Sequence, residues 1–103
     1  MAEDSADAPA TAGAVLTEHG PVAEIVLANG PLNLVTRPLL RQLNTILGEL
    51  AGRSDLRCVI LHGADARAFC AGSDIKEFGP LGADASERKI QFEDMVLRNL
   101  ARL

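Results

Sequence analysis

Between Thr36 and Gly52 the residues Leu39, Leu40, Leu43, Ile46, Leu47 and Leu50 recur at helical spacing, and no other feature limits the fold as tightly. An aliphatic stripe of that kind must be covered by another apolar layer. The material for that layer flanks it. Ala14–Thr17 and Val22–Leu27 read as two strands, with the turn signal Glu18-His19-Gly20-Pro21 between them, so a β-hairpin is expected. Cys58-Val59-Ile60-Leu61 is an apolar run that reads as a buried strand continuing to His62. Strand, strand, helix, strand is an α/β order.

The helix has legible ends. Thr36 is an N-cap candidate, Pro38 falls in the first turn where its missing N–H does no harm, and Gly52 is a stop signal. Asn29-Gly30-Pro31 breaks the chain before it. After Gly63 comes a loop of small residues to Ser73, with a short helical turn expected near Asp74 and a second break at Gly79-Pro80-Leu81-Gly82. Ser86 opens a last helix with Phe92, Val96, Leu100 and Leu103 on one face. That helix carries no C-cap signal and its stripe runs to the final residue, so residues 14–103 read as a partial domain cut short at the C-terminus. Apolar surface left open on such a piece predicts marginal stability and a tendency to associate.

Composition narrows the function. Aromatic residues are only 3% of the chain, with no Trp or Tyr, so the core is aliphatic and base-stacking platforms are lacking. The net charge is −4, and Glu3, Asp4 and Asp7 supply most of it, so residues 1–13 read as a disordered acidic tail. No basic footprint for nucleic acid exists. No run reaches transmembrane length, and no secretory or mitochondrial leader is legible, so a cytoplasmic protein is expected. Cys58 and Cys70 fit no metal or CxxC spacing; Cys58 reads as a small core residue, and reduced thiols are favoured over a disulfide. His19 and His62 have no ligand spacing, so no metal is expected. Glu77, Glu87, Glu93 and Asp94 lie among Arg88, Lys89 and Arg98 and read as a solvated charged face.

Without a side-chain catalytic constellation, chemistry must start from backbone donors. In Ala68-Phe69-Cys70-Ala71-Gly72-Ser73-Asp74-Ile75-Lys76-Glu77-Phe78 the small residues leave N–H groups open, and Gly72 admits a close approach. A helix beginning near Asp74 would aim further N–H groups into the same space. An acyl oxygen there would be stabilised as it becomes an oxyanion. Residue types alone favour a plain strand-to-helix connection.

The segment Phe69-Cys70-Ala71-Gly72-Ser73-Asp74-Ile75-Lys76-Glu77 resembles the enoyl-CoA hydratase/isomerase, or crotonase, family, which carries F-x-A-G-x-D-[IL]-K-E after a hydrophobic strand. Asn29-Gly30-Pro31-Leu32-Asn33 is similar to the family's N-x-P-x-N segment, and the likeness covers roughly residues 14 to 103. It implies the first part of a crotonase-type spiral of ββα units: hairpin, amphipathic helix, strand, oxyanion loop, helix. It implies a coenzyme A thioester as substrate, with no separate cofactor. The thioester oxygen would sit between two backbone N–H groups, and Ser73 matches the first donor. Ala71, Gly72, Ser73, Asp74, Ile75 and Lys76 match the segment that contacts coenzyme A, Lys76 lying near the phosphates or serving as a plain surface lysine. Leu32 would line the pantetheine channel. Asp74 would shape the loop, and Asn33 reads as structural. The second donor and the acid/base carboxylates belong to later segments of the family, so half a site and an inactive piece are expected. The family's usual trimers or hexamers are implied for a full-length relative. The other reading is a non-catalytic module that binds coenzyme A, or one completed by a partner chain.

Overall fold

The computed structural model describes residues 13–77 and 83–103. The expected acidic tail and the break at 79–82 lie outside the described residues, apart from Gly13. The order is β1 (Gly13–His19), β2 (Val22–Ala28), α1 (Arg37–Ala51), β3 (Cys58–His62), a one-turn 3-10 helix (Ile75–Glu77) and α2 (Ala83–Ala101). The strands form one sheet, β1-β2-β3, antiparallel in the first pair and parallel in the second. A parallel pair needs a crossover, and α1 supplies it.

The hairpin is tighter than the turn signal suggested. Gly13, Glu18 and His19 belong to β1, and Gly20-Pro21 alone reverse the chain. Gly20 has φ +64, and proline holds a negative φ, the signs of a type II′ turn, which suits strand twist.

All six stripe residues of α1 are buried, and the Thr36 hydroxyl accepts the Leu39 N–H at 3.3 Å. They pack with Ala14, Ala23, Ile25 and Leu27 on one face of the sheet and with Val96 of α2. The Asn99 amide donates to Asn44 Oδ1 at 3.1 Å and ties α2 to α1. α2 starts three residues earlier than Ser86 and ends before Leu103, which is 43% exposed and not part of the inward stripe.

β3 departs from the reading of a buried strand. Its registers with β2 put Val59 and Leu61 beside Ala23 and Ile25, facing the helices. Cys58, Ile60 and His62 therefore face the opposite side. Cys58 is exposed, not a core residue, because strand alternation assigns it to the face that the helices leave open. Both thiols are free, and Cys70 packs against the core instead.

Candidate functional site

Two loops zip together at the carboxyl end of the sheet. The Arg67 and Ala68 N–H groups donate to Pro31 O at 2.9 and 3.2 Å, and Ala71 N–H donates to Leu32 O at 2.9 Å. Val35 N–H donates to Gly72 O at 2.8 Å, and Asp74 N–H to Val35 O at 2.9 Å. Asn33 locks the zipper. Its fully buried side chain donates to Ala68 O and Phe69 O at 3.3 and 3.2 Å and accepts the Asn29 N–H at 2.8 Å. The Asn29 amide in turn holds Leu34 O at 2.6 Å. Gly63 is a glycine because a Cβ there would meet Asn33 Nδ2 at 2.8 Å. The structural reading of Asn33 follows directly from these bonds.

Val35 and Ser73 form an isolated parallel bridge. In this pattern Val35 bonds the residues on either side of Ser73, so the Ser73 peptide groups point away from Val35. Among the described residues no group accepts the Ser73 N–H. Gly72, at φ +114, sets up this orientation. Ser73 and Gly72 border a cavity of about 300 Å³ whose walls are otherwise apolar, including Leu43, Phe69, Leu97 and Leu100, with the Glu93 carboxylate at its edge.

Asp74 shapes the turn: its carboxylate accepts the Lys76 N–H at 3.0 Å, and its carbonyl accepts the Glu77 N–H at 3.1 Å. The short helical turn expected near Asp74 is the 3-10 turn Ile75–Glu77; at three residues it is too short to present an aligned set of N-terminal N–H groups. Ile75 and Lys76 are exposed. Leu32 is brought beside Ala71 by its carbonyl, while its side chain is turned outward.

The carboxylates are only partly a solvated face. Glu87 is exposed, and Asp94 pairs with Arg98 at 2.7 Å on the surface. Glu77 and Glu93 instead converge on Lys89, whose side chain is 1% exposed; Glu77 lies at 3.1 Å and Glu93 is paired directly. The Ser73 hydroxyl donates to Glu93, and both Glu77 oxygens accept the Arg37 N–H. Burial acts to lower the Lys89 pKa, but hydrogen bonds to Glu93 and Glu77 outweigh it and the net direction is upward. A signal existed in the sequence: Lys89 lies three and seven residues before Phe92 and Val96, on the inward stripe, and four before Glu93.

On the open sheet face, Glu24 accepts from His19 and His62, at 3.0 and 2.6 Å, and these bonds, His19 first, lower its pKa. His62 Nδ1 accepts the Ala64 N–H at 3.0 Å, which leaves the proton on Nε2, toward Glu24. Among the described residues no group of His, Cys, Asp and Glu is arranged to hold a metal ion. No helix among them is long and apolar enough to cross a membrane.

The family model for enoyl-CoA hydratase/isomerase matches this chain over residues 24–99, which include both loops. The chain belongs to that family. The short-chain-enoyl-CoA hydratase of Clostridium acetobutylicum is 37% identical over 65 residues, covering 61% of this chain and 24% of that protein. The crystal structure of an enoyl-CoA hydratase from Mycobacterium smegmatis superposes with a TM-score of 0.79 at 26% identity, over 87% of this chain and 36% of that one. A Geobacillus kaustophilus structure shares the fold at TM-score 0.82 and 20% identity, over 88% and 34% of the two chains. The enoyl-CoA hydratase/isomerase relatives are longer: this chain spans from 17% to 31% of the curated ones it matches.

Proposed function

We propose that the chain binds a coenzyme A thioester at the 63–77 loop and that the Ser73 N–H hydrogen-bonds the thioester oxygen as negative charge develops on it. The observation that carries this is the Ser73 N–H itself: it is turned away from its bridge partner and has no acceptor among the described residues, and Ser73 is a lining residue of a largely apolar cavity. A donor so placed lowers the barrier for enolate formation by roughly 3 kcal/mol. Ala71, Gly72, Asp74 and Ile75 then follow the ligand's backbone, Leu32 flanks the pantetheine, and Lys76 meets the phosphates. The open cleft beside this turn, lined by Arg37, Arg41 and Arg88, adds positive charge for the same phosphates.

In the complete protein the reaction is hydration or isomerisation of an enoyl thioester. The family's second N–H donor and acid/base carboxylates come from segments that these 103 residues do not include. The chain thus supplies the first half of the site and has little turnover by itself. Coenzyme A enters as part of the substrate, the protein acts in the cytoplasm, and a homotrimer or hexamer is the assembled form.

The apolar residues Ile60, Leu97 and Phe69, all exposed, favour a second reading, a binding module completed by another chain. Calorimetric titration with coenzyme A and crotonyl-CoA, beside a hydratase assay, tests the thioester reading. Binding with negligible turnover is expected. No binding of either ligand overturns the proposal, and turnover equal to full-length hydratases overturns the half-site.

A further inference from the structure

A backbone donor needs no side chain, so the Ser73 hydroxyl is spare to the role proposed for its N–H, yet it is engaged on two sides. It donates to Glu93, and Lys89 Nζ lies 3.3 Å from it. Lys89 also holds Glu77, which accepts the Arg37 N–H at the start of α1. One chain of charge-assisted bonds thus joins the loop, the 3-10 turn, α2 and the N-terminus of α1. A charged group buried among its partners adds little net stability, but it selects one arrangement of the segments it joins. The segment before Ser73 needs such a restraint, because Gly72 sits at φ +114 with open space around its Cα.

We propose that the Ser73 hydroxyl is a positioning group, which through Glu93 and Lys89 clamps the loop so that the Ser73 N–H meets the thioester oxygen. This rests on the thioester reading above. The hydroxyl takes no part in bond making. The clamp acts on the direction of the N–H, so its loss weakens polarisation of the carbonyl more than it weakens binding.

Two measurements test it. Amide hydrogen exchange of the unliganded protein, read residue by residue by NMR, should be about tenfold faster at Ala71 and Asp74, the hydrogen-bonded amides of this loop, in Ser73→Ala and Glu93→Gln, with α1 amides unchanged. The second probe is 4-(dimethylamino)cinnamoyl-CoA, whose absorption band moves to longer wavelength when its carbonyl is polarised. At saturation the wild type should shift the band. Ser73→Ala, which keeps the N–H, should bind within about threefold of wild type but lose more than half of the shift, and Ser73→Thr should restore it. The Thr variant keeps the test decisive if the Ala variant folds poorly. Wild-type exchange and a full band shift in Ser73→Ala overturn the clamp. If the wild type neither binds nor shifts the probe, the thioester reading falls, and unchanged or accelerated exchange still decides whether the clamp exists.

Discussion

Asn33 shows how much one residue can settle. It sits at φ +48, a conformation that Asn tolerates better than most residues, and its buried amide serves three backbone groups at once. Asn33→Ala leaves those groups unpaired, and the cost should be about 2–3 kcal/mol, measured by urea denaturation. Lys89 is the other decisive residue. Its raised pKa means that the folded state holds the proton more tightly than the unfolded chain. Its contribution to stability is fully present below the ordinary value of 10.5 and is lost as pH rises through the higher folded value. Lys89→Met should therefore flatten the alkaline limb of the stability profile. It should also destabilise the protein at neutral pH by about 3 kcal/mol, because Glu77 and Glu93 are left facing each other half-buried. Thermal melts from pH 7 to 12 check both statements. Glu24 runs the opposite way. Its pKa is lowered by His19 and His62, so its contribution is present above 4.5 and lost as pH falls through its depressed value.

At the scale of elements, α1 is the best-specified piece. Its cap, its proline and its stripe agree with one another, and such agreement across local signals is what makes a segment readable. Thr36→Ala should cost about 1 kcal/mol through loss of the cap, and Leu47→Ala about 2–5 kcal/mol through the cavity it leaves. Chemical denaturation of the two variants, and of the pair together, should give additive losses, since the cap and the buried leucine are three helical turns apart. The last helix was less readable. Its periodicity located Phe92, Val96 and Leu100 correctly, but a lysine on the same stripe looks like an interruption until its two carboxylate partners are in place. β3 is ambiguous in sequence for a related reason. A run of apolar residues does not say whether one face or both will be covered, and here only Val59 and Leu61 are.

At the scale of the molecule, both edges of the sheet and one of its faces remain open among the described residues, and Ile60, Phe69, Ile90 and Leu97 are exposed. Concentration-dependent association is the expected consequence. Sedimentation velocity should show it, and Ile60→Thr with Leu97→Gln should reduce it without altering the secondary structure seen by circular dichroism.

The sequence by itself determined the hairpin, α1 and its ends, the strand after it, and the resemblance that pointed to the family. Those signals are local: they repeat every two residues or every three to four, or sit within one turn. Only the tertiary structure decided that Asn33 reaches across 35 residues to Ala68, that the Ser73 N–H is turned away from Val35, and that Lys89 is buried between Glu77 and Glu93. Those bonds join segments distant in sequence, and no period records them. They form only once packing of α1 on the sheet has brought the two loops to the same edge.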